Sequence, residues 1–461
     1  MKKTKGIGSL RLWGLIWGLG LAGQLCWNIE NQWFNTFIYA KIAKDSNIVT
    51  LMVITSALVT TFATFFFGTL SDRRGTRRKF ISIGYIVWGL FTIAFGLTEF
   101  ISTGAVGTVS KMSLLAAVLV ILADDIMSFF GSMGNDSGYN AWTNDMTTDK
   151  NRGQIGAALA TQPVIGTIVG TVVGGMLIGS DDNYQRLFWV MGAFVIAMGV
   201  LSLLLLKDAP GLKPYKDGSF WHQFGKVFNF KSFFSHKELV LVCAATALFF
   251  IAFNVYFVQM GNWMIYYMGF SADTMGLIQG LGLIAAMLLA IPAVRFINRN
   301  KTPYVAAAAV VINMIGLWVL YGFVKPGMVN TQSIFSVENL PLFLAIFMAG
   351  AGYILIMQSM TMWVKQLYPA ESRGQFEGVR VMFFTLIPMI IGTSIGNAVI
   401  RNGAGTVVNA YGITENIPTE AMYLWAALLV LLTFIPLFFA GRHYNRRIQR
   451  EKAEMSAGKE R

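Results

Sequence analysis

Apolar residues along the chain come in blocks of about twenty, separated by short polar or basic stretches. Twenty residues is roughly the length an α-helix needs to cross a hydrocarbon core of about 30 Å. Twelve blocks are predicted, at 12–40, 48–70, 81–99, 113–142, 154–179, 186–206, 239–267, 273–296, 303–324, 341–364, 376–400 and 421–440. The alternating ten-residue segments of a membrane β-barrel are absent. The first block holds Gln24, Asn28, Glu30 and Asn31 and runs too long for a cleaved signal peptide. The pattern predicts an all-α membrane protein with twelve transmembrane helices.

Composition agrees. Of 461 residues, 55% are hydrophobic and only 13% charged, too little charge to cover a water-soluble domain of this length. The net charge of +13 follows from topology rather than from nucleic-acid binding, and no nucleic-acid partner is expected. With the N-terminus inside, the outer loops carry Lys41, Lys44, Lys111, Arg186, Lys325 and Arg401, which leaves thirty of the 36 Lys and Arg for the cytoplasmic side. Both termini are therefore expected in the cytoplasm, with the chain integral to the inner or plasma membrane. Cys26 and Cys243 both fall inside predicted spans and read as packing residues, with no disulfide or metal framework.

The two halves echo each other. Trp27-Asn28-Ile29 in the first span recurs as Phe253-Asn254-Val255 in the seventh. Trp142…Arg152-Gly153-Gln154 recurs as Trp363…Arg373-Gly374-Gln375, and Arg73…Lys79 has a weaker counterpart in Arg295…Lys301. Spans five and eleven share a four-residue glycine spacing (Gly166, Gly170, Gly174; Gly392, Gly396) and a proline (Pro163, Pro388). Small residues at that spacing let helix backbones approach closely. The echoes predict two pseudo-symmetric six-helix bundles, at 1–206 and 239–441, joined by a linker at 207–238 and followed by a basic tail at 442–461. A parallel repeat of this kind is a transporter architecture.

After span two stands Gly68-Thr69-Leu70-Ser71-Asp72-Arg73-Arg74-Gly75-Thr76-Arg77-Arg78-Lys79. Gly68 permits close helix contact and Gly75 a tight turn. Asp72 offers an acceptor near a membrane face, and the arginines fix orientation and clamp neighbouring loops. The run resembles the loop 2–3 signature of the major facilitator superfamily, departing at Thr76, where a basic residue is common. The resemblance implies alternating access by rocking of two bundles. It also implies gating roles for Gly68, Asp72, Arg73, Gly75, Arg77 and Arg78, with Asp149, Arg152 and Arg373 in the matching loops.

Polar side chains within the spans mark candidate chemistry, because they are costly in hydrocarbon unless they face the bundle interior or a wet path. Gln24, Asn28, Asn31 and Asn35 fall on one stripe of an ideal helix, with Glu30 beside it. Span four holds Asp124, Asp125, Ser128, Ser132, Asn135, Asp136, Tyr139 and Asn140. Carboxylates there must be paired, protonated or cation-bound, so Asp136, Glu30 and Asp124 are candidate ion-coupling groups. In the second half Asn254, Gln259, Asn262, Trp263 and Gln358 complete a set rich in amides and aromatics. Such a lining suits polyhydroxyl solutes, whose C–H faces stack on rings, and tolerates organic cations.

Asp136-Ser137-Gly138-Tyr139-Asn140-Ala141-Trp142, together with Trp17-Gly18-Leu19-Gly20, resembles the glycoside–pentoside–hexuronide:cation symporters, the melibiose carrier's family. In that family the aspartate matching Asp136 lies where sugar and cation meet. Its first-span sugar-binding aspartate falls here on Leu25, and its two span-two cation ligands fall near Thr60 and Thr64. The expectation is a secondary transporter of a small polar solute, a sugar or glycoside, coupled to H⁺ or Na⁺. The alternative is an H⁺-coupled multidrug exporter. Neither enzymatic activity nor a bound cofactor or metal is expected, and the protein is expected to be monomeric.

Overall fold

The structure is a computed structural model that describes residues 7–103, 109–148, 151–226, 228, 230–368, 378–408 and 414–457. Eleven helices among the described residues are long and apolar enough to span a membrane. A twelfth, α1 (Ile7–Ile29), continues through two π-helical stretches, Glu30–Phe34 and Ile38–Ile42. The remaining long helices are α2 (Ser46–Arg74), α3 (Arg78–Leu97), α4 (Val109–Gly131), α5 (Arg152–Ile178), α6 (Tyr184–Leu205), α7 (Lys237–Asn262), α8 (Ala272–Asn298), α9 (Thr302–Phe323), α10 (Leu340–Leu367), α11 (Ile387–Arg401), α12 (Ala421–Leu431) and α13 (Phe434–Ala457). Span four does not stop at Gly131. It runs on as a π-helix over Ser132–Tyr139 and as an α-helix over Asn140–Asp145, so Asp136 sits well inside the helical rod.

Local signals start and stop these rods. The Asp45 side chain caps α2 by accepting from the Asn47 N–H at 2.8 Å. Gly75 ends it in the left-handed conformation, φ +62°, with its N–H returned to the Ser71 carbonyl at 2.9 Å. Asn183 caps α6 in the same manner as Asp45 caps α2. The only strands among the described residues, Thr406–Val408 and Thr414–Asn416, form a short antiparallel hairpin with Val407 opposite Glu415.

The chain divides into two compact units: Met1–Lys226 with Met264–Gly280 and Ala404–Ile417, and Val227–Trp263 with Leu281–Gly403 and Pro418–Arg461. In the first unit the glycine stripe of α5 lies on α1. A Cβ on Gly166 would meet Gln24, one on Gly170 would meet Asn28, and one on Gly174 would meet the Trp33 indole, each closer than 3 Å. In the second unit the α11 stripe lies on α7 in the corresponding way, with Gly392 against Asn254 and the Ile251 carbonyl, and Gly396 against the Val255 carbonyl. The repeated Asn thus meets the repeated glycine stripe in both units. The repeated tryptophans are anchored too: Trp142 Nε1 donates to the Lys207 carbonyl at 2.9 Å, and Trp363 Nε1 to Glu238 Oε1 at 2.8 Å.

Leucines and phenylalanines such as Leu58, Phe62, Leu122, Leu201, Leu288 and Phe438 remain exposed along the spans. Lipid is the solvent for those faces, so their exposure costs nothing. Cohesion comes instead from close packing. Gly84 of α3 meets Gly134 of the span-four π-helix so tightly that an added Cβ would stand 2.6 Å from Gly134 backbone atoms. Gly84→Leu is therefore expected to destabilise the protein by roughly 1–3 kcal/mol, read as a lowered unfolding midpoint in detergent. Gly14→Ala, with nothing within 4 Å of the new methyl, serves as control; equal midpoints for both variants would refute the packing argument.

Candidate functional site

Two sets of polar groups stand out in the first unit, one inside the helices and one at the loop 2–3 end. The inner set begins on α1. The predicted single stripe divides, because the π-helical turn over Glu30–Phe34 shifts the helical phase. Gln24 and Asn28 face α5, and the line continues at Gln32, which the sequence reading passed over. Asn28 Nδ2 donates to Thr171 Oγ1 at 3.5 Å, Thr171 Oγ1 donates to Gln32 Oε1 at 2.8 Å, and Gln32 Nε2 donates to Gln279 Oε1 at 2.6 Å. Gln279 in turn donates to the Met264 sulfur at 3.2 Å. Trp33 Nε1 completes the seam by donating to the Gly170 carbonyl at 3.0 Å. Asn31 and Asn35 turn elsewhere, each donating at 2.7 Å to the carbonyl four residues earlier on their own helix.

On another side of α1 a cluster of carboxyls gathers. Glu30 Oε1 accepts from Ser56 Oγ of α2 at 3.0 Å and from Ser128 Oγ of α4 at 2.9 Å, and the two hydroxyls lie 2.8 Å apart. The second Glu30 oxygen and both carboxyl oxygens of Asp124 are buried without a hydrogen-bond partner. Asp124, Asp125 and Asp136 all lie close enough to Glu30 to interact with it electrostatically. Asp136 is half-buried, beside Ser132 and Trp27. Among the described residues none of these four carboxyls forms an ion pair.

Tyr139 and Asn140 take different places. The Tyr139 hydroxyl is buried against α1, donating to the Ile16 carbonyl at 2.7 Å with Gln162 Oε1 3.1 Å away, and so holds spans one, four and five together. Asn140 is exposed and donates to the Asp136 carbonyl at 3.0 Å. In the second unit Asn254 donates to the Phe250 carbonyl at 2.8 Å, and Asn262 donates to Gln259 Oε1 at 2.8 Å. Trp263 packs edge-on against Tyr423, with centroids 4.9 Å apart. Gln358 is half-buried, with its side-chain oxygen unpartnered. Periodicity did not single out an aromatic ladder in the same unit: Phe253 stacks on Phe257 at 4.5 Å and on Tyr353 at 4.8 Å, all three half-buried.

At the loop 2–3 end Arg77 is the centre. Its guanidinium donates to Asp145 Oδ2 at 2.9 Å, to Asp72 Oδ1 at 2.5 Å and to Ser71 Oγ at 2.5 Å, and the residue is 5% exposed. Burial opposes its charge, but Asp145 and Asp72 outweigh burial and raise its pKa above the ordinary arginine value. Asp208, just after α6, accepts from Thr76 Oγ1 at 2.8 Å and from the backbone N–H groups of Arg77 and Arg78 at 2.6 and 2.9 Å. A hydroxyl at position 76 thus serves as a donor to this carboxylate. Arg73 donates to the Gly218 carbonyl at 2.9 Å and to Gln223 Oε1 at 3.0 Å, while Arg78 reaches the Leu203 carbonyl at 3.1 Å. Gly75 lies against Pro214, whereas a Cβ added at Gly68 would meet only Ser137 Oγ, at 3.7 Å. Asp149 and Arg373 lie outside the described residues, as does the side chain of Arg152, which opens α5.

Residues 21–267 match the family model of the Major Facilitator Superfamily, and the chain belongs to that superfamily of membrane transporters. Solved structures agree in fold. A variant of the nucleoside transporter NupG superposes with a TM-score of 0.66 at 14% identity, covering 92% of this chain and 99% of that one. A bacterial homologue of the human lysosomal transporter Spinster, inward-facing and occupied, gives 0.66 at 13% identity over 95% and 98% of the two chains. A bacterial homologue of the iron transporter ferroportin, inward-facing, gives 0.65 at 11% identity over 95% and 99%. No curated protein matches the chain in sequence.

Removing the Arg77 guanidinium leaves Asp72 and Asp145 facing each other without a cation. Arg77→Met is expected to cost roughly 1–3 kcal/mol, less than a fully buried pair because Asp72 is 44% exposed. Arg78→Met removes hydrogen bonds to one carbonyl and is expected to cost under about 1 kcal/mol. Unfolding midpoints of the two variants check the order; a reversed order would show that Arg77 is not the centre of the loop.

Proposed function

We propose that the protein is a secondary transporter that couples a small hydroxyl-rich solute, of the sugar or glycoside class, to the movement of H⁺ by alternating access. The observation that carries the coupling is the Glu30 carboxyl, hydrogen-bonded to Ser56 and Ser128 with its other oxygen unpartnered. A carboxyl buried without a cation is cheapest as the neutral acid, and the serine hydroxyls then accept or donate as the proton comes and goes. Asp136, half-buried on the neighbouring helix, is the group through which the proton reaches water. In this reading protonation of Glu30 removes the cost of carrying its charge through the occluded state, as expected of intramembrane carboxyls in transport.

The solute class follows from the half-buried rings and the unpartnered amide oxygen left over once the amide seam of α1 has paired internally. The stacked faces of Phe253, Phe257 and Tyr353 and the free oxygen of Gln358 supply rings and an acceptor, the elements a sugar ring uses. A solved structure of the same fold is, by its name, a nucleoside transporter. A second reading, export of amphipathic cations, draws on Asp136 beside Trp27, an anion with an aromatic neighbour. In both readings the termini and the loop 2–3 end face the cytoplasm, the two bundles at 1–206 and 239–441 are the rocking bodies, and the working unit is a monomer.

The test is uptake into proteoliposomes under an imposed pH gradient, after a panel of sugars, glycosides and organic cations has been screened for thermal stabilisation; saturation at 100 times Kd is worth about 2.7 kcal/mol. Glu30→Gln is expected to abolish gradient-driven accumulation while keeping exchange of labelled for unlabelled solute across the membrane. Accumulation by Glu30→Gln at the wild-type level would eliminate Glu30 as the coupling group. Stabilisation by cations alone would replace the sugar reading with the export reading.

A further inference from the structure

The basic residues of loop 2–3 are not equivalent. Arg73, Arg77 and Arg78 are all taken up by partners within the protein, as described above. Arg74 and Lys79 are exposed and, among the described residues, make no hydrogen bond or ion pair. Both stand on the lining of one open cleft of about 460 Å³ in the first unit, the size of a small-molecule site. Its walls come from three spans: Phe67 of α2, Phe80 and Ile83 of α3, and Phe129, Phe130 and Met133 of span four. Phe67, Phe80 and Met133 are themselves core residues, packed with Ala63 and flanked by Phe66 and Leu70, so the cleft has a rigid floor.

The arrangement is amphipathic in a definite sense. Two cations sit where α2 ends and α3 begins, at the level where a span leaves the hydrocarbon, and the apolar walls run from there along the helices. Among the described residues no carboxylate stands on the cleft lining, and Asp208 and Asp72 nearby in the loop are engaged by Thr76, backbone N–H groups and Arg77. An occupant must therefore carry negative charge at one end and hydrocarbon at the other, and must reach the site from the bilayer side. We propose that this cleft binds an anionic phospholipid, with its phosphate held between Arg74 and Lys79 and the first part of an acyl chain lying along the phenylalanine walls. Its position beside the Asp72–Arg77–Asp145 bridge places the lipid against the loop that the fold uses to join spans two, four and six. The cytoplasmic leaflet, where anionic lipid is concentrated, is the source if loop 2–3 faces the cytoplasm as read above.

The test does not depend on transport. Purified wild-type protein in neutral detergent is titrated with phosphatidylglycerol or with phosphatidylcholine of the same chains, and the unfolding midpoint is followed. Phosphatidylglycerol is expected to stabilise at much lower concentration than phosphatidylcholine. Arg74→Gln/Lys79→Gln is expected to weaken the apparent affinity for phosphatidylglycerol roughly thirtyfold, from about tenfold per 1.4 kcal/mol and the usual worth of two surface cations. Ile83→Trp, at a half-exposed position on the cleft wall, is expected to weaken both lipids by blocking the walls without touching the charges. Arg446→Gln/Arg450→Gln, which removes the same charge from the α13 tail, should leave the selectivity intact. Equal protection by the two lipids in the wild type would overturn the proposal. So would undiminished selectivity in Arg74→Gln/Lys79→Gln, or a full shift produced by inorganic phosphate without lipid.

Discussion

In a bilayer the hydrocarbon offers no partner to a polar group, so each buried amide, hydroxyl or carboxyl must be satisfied by another part of the protein or remain a liability of several kcal/mol. That constraint orders the first unit. The Asn28 amide can reach Thr171, and the Trp33 indole the Gly170 carbonyl, only because α5 presents glycines where any larger residue would hold the helices apart. The glycine stripe and the amide row are thus two halves of one device. In the second unit the packing half recurs, with Asn254 on Gly392, while the Asn254 amide donates to the Phe250 carbonyl of its own helix.

Where the constraint is obeyed the groups are structural. Tyr139 and Gln32 are paired inside the protein and hold helices together. Where it is not obeyed, as at Glu30 and Asp124, polar atoms remain buried and unpartnered, and the fold gains nothing from them. Retaining such groups at a cost is characteristic of sites whose charge state has work to do. The loop 2–3 end follows a related division: three arginines satisfy the protein, and Arg74 and Lys79 are left to the surroundings.

Much of this was legible in the sequence, residue by residue. Block length announced the spans, and the Asn28/Asn254 echo announced the repeat. Gly68 to Lys79 announced the superfamily. Other features were not legible because they depend on phase and partner rather than on local pattern. Reading α1 at 3.6 residues per turn placed Asn31 and Asn35 with Asn28, but the π-helical turn at Glu30–Phe34 separates them and brings Gln32 into line instead. Asp145 and Asp208, which complete the Arg77 and Thr76 interactions, lie 68 and 132 positions away and carry no motif of their own.

What the sequence determined by itself is the class of protein: its solvent, its number of helices to within one, its duplication and its superfamily loop. These follow from hydropathy, period and spacing, which are properties of a strand of residues read in order. What only the tertiary structure decided is which polar side chains are used up in holding helices together and which are left unpaired. That is a question of distance between residues far apart in the chain, and hydrogen bonds act over about 3 Å. The dozen-span reading therefore stood on the sequence alone, while Glu30 with its two serines, and the cleft beneath Arg74 and Lys79, came into view only when spans one, two, three and four were packed.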